Sequence, residues 1–430
     1  MALDWLIWIA LFVMLALGAP IFVSLGVASL VVLVQSEIPL SIIPVDLLKV
    51  SDMFPLLAVV GFIFAGALME RSGMAAQIVD IAAMIVGRVR GGLGMVTILG
   101  CMFFAAMIGS GPGTVAAMGS LMIPSMIRKG YSREYAAGVT ATGGTLGILI
   151  PPSNPMIVYG VIANVSISTL FMAGFLPGFM VGLVLMMTTY IYARRAGFKG
   201  SMETQTLADF GRALVRNIWS LLAPVVILGS IYAGICTPVE ASVVAVFYAL
   251  FVGIFITRKL NPLEFWESIK LTNMSTATII IVVGVSTLFG RFITMYQIPQ
   301  KLAELMLGFT SEPYLILLMI GALLFFLGMF METLATIVIL APVFMPVITQ
   351  VGIDPIFFGI IWVMVNEVAL LSPPLGVNLF IAMNLSGLSL ERVARGALPY
   401  MVVLILLILL LMNFDDLVLL IPRLLGGYAG

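Results

Sequence analysis

Four short stretches of this chain set oxygen-bearing residues beside backbone that cannot remain helical. Two are Gly109-Ser110-Gly111-Pro112-Gly113-Thr114 and Met331-Glu332-Thr333; the others are Pro151-Pro152-Ser153-Asn154-Pro155 and Ser372-Pro373-Pro374-Leu375-Gly376. All four interrupt long apolar runs. Proline lacks an N–H and clashes with the carbonyl four residues back, so a Pro-Pro pair frees several carbonyls. Those carbonyls, with nearby hydroxyls, suit a hard cation such as Na⁺, which takes oxygen ligands. The N-terminus of the helix that resumes suits an anion. The chemistry on offer is ion binding. The candidate cation ligands are Ser110, Thr114, Thr145 and Ser153 in one set, and Glu332, Thr333, Glu367 and Ser372 in the other. Gly111, Pro152, Asn154, Pro374 and Asn378 are the candidate substrate contacts.

Each residue also has a plainer reading. Ser110–Thr114 could be a tight turn that needs φ > 0. Gly143-Gly144-Thr145 could serve close helix packing. Glu332 and Glu367 could be carboxylates tied to freed backbone N–H groups. A carboxylate within a membrane segment is costly, however, and points to function. Asn378 and Asn384 fit a substrate contact or backbone satisfaction equally. Glu240 belongs to structure, because Thr237-Pro238-Val239-Glu240 reads as a capping box with Pro at the first helical position. Ser132 and Asp354-Pro355 read as N-caps.

The elements that carry these residues must lie in a bilayer. Of the residues, 62% are hydrophobic and 9% charged, with mean hydropathy +1.21. Apolar runs of about 17–25 residues recur, as spanning helices require. Net charge is zero and no long basic run occurs, which argues against a nucleic-acid partner. Met1–Val34 has no basic leader and reads as mature membrane segment. Histidine is absent, which removes His-based metal sites, proton relays and Ser-His triads. Cys101 and Cys236 read as small core residues. Trp5, Trp8, Trp219 and Trp266 read as interfacial anchors.

The chain repeats once. Pro151 and Pro373, Pro177 and Pro399, Pro124 and Pro346, and Gly130 and Gly352 are each 222 residues apart; Arg71 and Arg291 are separated by 220, Pro20 and Pro238 by 218. Two like halves with matching breaks are the mark of a secondary transporter with a site between the repeats. Tracing the helices as an inverted repeat puts sixteen of the twenty Lys and Arg residues on one side, the cytoplasmic one by the positive-inside rule. Segments 94–127 and 314–349 then become re-entrant hairpins, entering from the inner and the outer face. The discontinuous helices are 132–164 and 355–384. The expected fold is an all-α integral membrane protein, an inverted repeat with two re-entrant hairpins and two discontinuous helices. Scaffold falls at 1–75 and transport domain at 76–177. A connecting helix and second scaffold follow at 178–290, then transport domain at 291–400 and a C-terminal helix and tail at 401–430.

Gly109–Ser125 (GSGPGTVAAMGSLMIPS), Ile150–Tyr159 (IPPSNPMIVY), Thr237–Ala241 (TPVEA), Gly328–Glu332 (GMFME) and Ser372–Asn378 (SPPLGVN) carry a family resemblance. Across nearly its whole length the chain resembles the large membrane subunit of tripartite ATP-independent periplasmic (TRAP) transporters. That resemblance implies an elevator-type permease in a bacterial inner membrane, taking up an organic acid such as a C4-dicarboxylate, sugar acid or sialic acid. It also implies Na⁺ as coupling ion and two partners: a small four-helix membrane subunit and a periplasmic substrate-binding protein. The alternatives are a binding-protein-independent symporter or antiporter of like fold and, from another class, an intramembrane enzyme. The missing His and the internal duplication weigh against the enzyme.

Orientation is testable directly. In a cysteine-free background, single cysteines at Ser132 and Gln350 should react with an impermeant reagent from opposite faces. Labelling from the same face would refute the inverted repeat.

Overall fold

A computed structural model describes residues 2–36, 38–198, 207–374 and 376–428, and among them the regular structure is helical throughout. Met1 and Leu375, named above, lie outside the described residues, as does the side chain of Trp5. Seven of the described helices are long and apolar enough to cross a bilayer.

Both hairpins form. The first joins Gly92–Ile108 to Gly111–Arg128 through Gly109 and Ser110; the second joins Pro313–Gly328 to Thr333–Gln350. Both discontinuous helices form as well. The first runs Arg133–Gly143, a short turn Leu146–Leu149, then Asn154–Ala163 after the proline break. The second runs Pro355–Ala369 and resumes at Val377–Ser386. Local chemistry sets their starts. Ser132 Oγ accepts from the Tyr135 N–H at 3.3 Å, and Asp354 Oδ1 accepts from the Phe357 N–H at 2.9 Å. The capping box is complete: Glu240 N–H donates to Thr237 Oγ1 at 3.3 Å while Thr237 N–H donates to Glu240 Oε2 at 2.8 Å.

Three helices were not read from the sequence: Ile42–Ser51, Met74–Val86 and Ile298–Phe309. They are short, and the last two are strongly one-sided in apolar character. Met74–Val86 leaves Leu56–Arg71 at an angle of 70°. The repeats also differ. Ile42–Ser51 and Leu56–Arg71 are separate helices, whereas their counterpart Pro262–Met295 is one helix of 34 residues. Pro55, which caps Leu56–Arg71, accounts for the interruption. The domain limits at 177 and 400 fall inside continuous helices, Ile167–Arg195 and Leu390–Leu411, with Pro177 and Pro399 in their interiors. Tertiary packing carries these helices past a proline where the sequence pattern alone suggests a boundary.

The helices sort into two packed groups. Ala2–Ala16, Ile21–Gln35, Ile42–Ser51, Leu56–Arg71, Leu207–Tyr232, Pro238–Phe251 and Pro262–Met295 pack mainly on one another. The hairpins and broken helices pack together with Ile167–Arg195 and Leu390–Leu411. Small residues set the close crossings, as between membrane helices generally. A Cβ on Gly61 would stand 2.1 Å from Ser242 Oγ, and one on Gly66 would stand 3.1 Å from Ile108 Cα.

Two ion pairs cross between the repeats of the first group with their signs exchanged. Arg71 of the first repeat meets Glu264 of the second at 2.5 Å; Arg291 of the second meets Asp46 of the first at 2.6 Å. Arg71 and Arg291 are repeat mates, and Asp46 and Glu264 stand 218 apart, the offset of Pro20 and Pro238. Trp8 does not act only as an interfacial anchor: its ring meets Phe289 edge-on at 6.0 Å. Cys101 is buried in the core and Cys236 half-buried.

Gly138 and Gly396 bring the two repeats into contact in the second group. A Cβ on Gly138 would stand 2.2 Å from the Gly396 carbonyl carbon, and one on Gly396 would stand 2.1 Å from the Glu134 carbonyl oxygen. Backbone cannot yield as a side-chain tip does, so overpacking here costs about 1–3 kcal/mol. Gly138→Ala should lower the melting temperature of the purified protein by several degrees. Gly229→Ala, with nothing near its Cβ, should leave it unchanged. Equal melting temperatures for the two variants would refute the tight crossing.

Candidate functional site

The four broken stretches come together. Gly109 holds φ +66° at the first tip, and a Cβ there would stand 2.5 Å from the Pro152 carbonyl oxygen. Only glycine satisfies both conditions. Across this contact the Asn154 N–H donates to the Gly109 carbonyl at 3.4 Å. Tip and break are therefore one structure. Gly147 packs as closely: a Cβ on it would stand 2.5 Å from the Ser110 carbonyl oxygen and 2.6 Å from Thr114 Oγ1.

Gly111 is the meeting point. Three oxygens surround the point where its Cβ would be: Gly144 O at 3.1 Å, Glu367 Oε2 at 3.2 Å and Asn378 Oδ1 at 3.5 Å. They come from the first broken helix and from both halves of the second. The second hairpin reaches the same place, because Thr333 Oγ1 donates to Glu367 Oε1 at 3.1 Å. Glu367 is 2% exposed and Asn378 wholly buried. Glu367 Oε2, both polar atoms of Asn378, and Asn154 Oδ1 have no hydrogen-bond partner. Leaving a buried polar atom unpaired costs about 1–3 kcal/mol. Several gathered at one point mark a place built for something that supplies the missing interactions. Three or more His, Cys, Asp and Glu side chains never cluster among the described residues. The donor set around Gly111 is one carboxylate plus neutral oxygens, which fits an alkali cation better than a transition metal.

The other sequence candidates divide. Ser110 and Ser153 are N-caps: their hydroxyl oxygens accept from Gly113 N–H at 3.3 Å and Met156 N–H at 3.4 Å. Thr114 and Thr145 are buried and donate to the Ser110 and Thr142 carbonyls, each at 2.8 Å, leaving oxygen lone pairs free to ligate. Thr145 and Glu367, repeat mates at 222, line one small cavity of about 10 Å³. Pro152 is buried at the tip contact, whereas Pro373 and Pro374 are exposed. Ser372 is buried and donates to Met401 Sδ at 3.2 Å, away from the Gly111 cluster. Glu332 stands at the N-cap position of Thr333–Gln350 but its side chain makes no cap bond, and the residue is exposed at the second tip. The first tip and break are thus closed over by protein, and the second pair is open.

Two residues of the site were not read from the sequence. Thr336 and Asn366 are both wholly buried, and the Asn366 amide bonds Thr336 Oγ1 at 2.7 Å whichever way it is turned. The orientation that satisfies both ends also takes the Trp362 indole N–H at 2.7 Å. Thr336 stands 222 after Thr114, so the repeat offset contained this signal. Asn366 pairs with Gly144, and nothing in that match flags it.

Residues 8–417 match the family described as the tripartite ATP-independent periplasmic transporter, DctM component. The chain is 40% identical over 401 residues to an isethionate TRAP transporter permease of Oleidesulfovibrio alaskensis, covering 93% of this chain and 63% of that one. It thus spans less than two thirds of that relative. It is 38% identical over 408 residues to a C4-dicarboxylate TRAP transporter large permease of Pseudomonas aeruginosa, covering 94% of each. The crystal structure of the YdaH transporter of Alcanivorax borkumensis shares the fold at TM-score 0.66 and 14% identity, over 85% of this chain and 86% of that one.

Gly111→Ala should place a methyl among the three oxygens without unfolding the chain, since the contacts are tight but not prohibitive. Added Na⁺ should raise the melting temperature of the parent; the purified variant should melt near the parent temperature without Na⁺ and show no such rise. Undiminished Na⁺ stabilisation would show that the cluster is not a cation site. The chain belongs to the TRAP transporter large-permease family, and it is a multi-pass membrane permease, not an enzyme.

Proposed function

We propose that this permease imports a small organic acid into a bacterial cell across the inner membrane, coupled to inward Na⁺ flow. A periplasmic binding protein delivers the substrate, and a small four-helix membrane subunit braces the scaffold. The observation that carries the reading is the convergence on Gly111 of oxygens from both broken helices, with Glu367 Oε2 and Asn378 unpartnered. A monovalent cation bound there neutralises Glu367 and completes the contacts of Asn378. An acid group held beside it, near the N-termini of Asn154–Ala163 and Val377–Ser386, finds favourable dipoles and Asn154. Charge then couples the two ligands: the cation favours the anion, and each alone is bound less well. Relatives named for isethionate and C4-dicarboxylate support a small sulfonate or carboxylate as the substrate class.

The division into two helical groups supports an elevator. The group holding the site would move as a block against the scaffold, exposing the ions to one side at a time. The ion pairs Arg71–Glu264 and Asp46–Arg291 tie the scaffold to itself and leave the block free.

The experiment is reconstitution with the small subunit and a binding protein loaded with isethionate or a C4-dicarboxylate. Uptake should require an inward Na⁺ gradient, and Glu367→Gln should abolish Na⁺ dependence or uptake. Equal uptake with choline in place of Na⁺ would overturn the coupling. A disulfide between Gly66→Cys and Ile108→Cys, which face each other across the two groups, should stop uptake until reduced. Full-rate uptake in the crosslinked protein would overturn the elevator.

A further inference from the structure

A cavity of about 750 Å³ lies between the scaffold and the helices that carry the site. Ser286, Thr287 and Arg291 line its scaffold side; Val161, Val338 and Pro342 line the other. The orientation set by the basic residues opens it to the outside. Arg291 is the charged residue among those lining it.

Its setting is asymmetric. Asp46, its partner, is wholly buried, while the Arg291 side chain is 43% exposed. Lys49 also approaches Asp46 Oδ1, at 3.8 Å, and is 60% exposed. Of these three groups only Arg291 lines the cavity, so the cavity meets the cationic end of the pair while the carboxylate stays buried behind it. At the repeat mate both ends are about equally exposed, Arg71 at 31% and Glu264 at 34%, and Glu70 and Glu267 also interact with Arg71. A scaffold clamp needs no more than that. The outer copy goes further: Arg291 Nη2 is held by Asp46, and a guanidinium has further N–H donors in a fixed fork matched to carboxylate or sulfonate oxygens. The hydroxyls beside it donate to their own helix, Ser286 to Val282 O at 2.7 Å and Thr287 to Val283 O at 2.9 Å. Being neutral, they leave the charge of the guanidinium uncancelled.

We propose that Arg291, pinned by Asp46, is a transient docking site for the acid group of the substrate, between its delivery from outside and its binding at Gly111. The inference rests on the import reading above and names a second anion site on the fixed part of the permease. The positive charge draws the anion into an otherwise uncharged crevice. Its half exposure keeps the interaction weak enough to release. Steering of this kind acts on association and fades with added salt.

The test uses the reconstituted complex, after Na⁺-driven uptake has been measured in the parent; its absence there would concern the import reading alone. Arg291→Gln by itself strands a buried carboxylate, so it is combined with Asp46→Asn. The double variant should raise the KM for delivered substrate about fivefold at low ionic strength, with Vmax within about twofold of the parent, as expected where a charge acts on encounter. The gap should close as KCl is added, and the Na⁺ concentration for half-maximal uptake should not move. Arg291→Lys with Asp46 intact should recover most of the parent KM. A double variant with parental KM at every salt concentration would overturn the proposal, leaving the pair a clamp. So would a loss of Vmax with KM unchanged.

Discussion

Hydrocarbon offers no hydrogen bonds, and the rest of this structure follows from that constraint. A helix broken in a bilayer exposes carbonyls and N–H groups that only protein or a bound ligand can satisfy. The first discontinuous span accordingly has 83% of its apolar window buried within the molecule. Its break is covered by the tip of the first hairpin, through Gly109 against Pro152 and the Asn154 N–H to the Gly109 carbonyl. The glycines at 109, 111, 144 and 147 exist because backbone must lie on backbone for this covering to work. Where covering stops, at Glu367, Asn378 and Asn154, polar atoms remain unpaired, and there the proposed ion site lies.

The same plan is used twice, and the copies are not equal. Thr114 and Thr336 are mates, as are Thr145 and Glu367, and Ser110 and Glu332. In each pair the first repeat supplies a hydroxyl. The second supplies carboxylates at two of the three positions, so the fixed charge of the site sits on one side of the pseudo-symmetry. Exposure follows the same division, with Pro152 buried and Pro373 and Pro374 exposed. The two halves thus share geometry but differ in charge, the asymmetry that the proposed binding of a cation beside an anion requires.

The scaffold solves a different problem. Its helices present apolar faces outward, and exposed residues such as Val225, Phe247 and Met274 are consistent with lipid or a membrane partner. Inside, Arg71–Glu264 and Asp46–Arg291 join the first repeat to the second. Each pair spans helices more than 190 residues apart in the chain, as the separations of 193 and 245 show. An ion pair partly removed from water is expensive to break by removing one partner. That makes the two pairs effective in tying the two repeats of this group together, as the proposed elevator requires of its fixed part.

Much of this was legible in the sequence because the bilayer forces simple signals. Apolar run lengths gave the spans, Pro and Gly gave the breaks, and the offset of 222 gave the repeat. Caps at Ser132, Thr237 and Asp354 are local, three-residue chemistry, and the structure holds all three. Among the candidates named from the sequence are three that the structure brings together, Gly111, Glu367 and Asn378. The sequence could not say that these three meet, since Gly111 lies 256 positions before Glu367 (367 − 111) and no local pattern encodes their distance. Nor could it tell that Ser372 turns to Met401, that Glu332 stays exposed, or that Asn366 joins Thr336. Those outcomes depend on how closely helices approach, and approach is set by glycine contacts between distant segments. Only the tertiary structure decides which polar atoms are left without a partner.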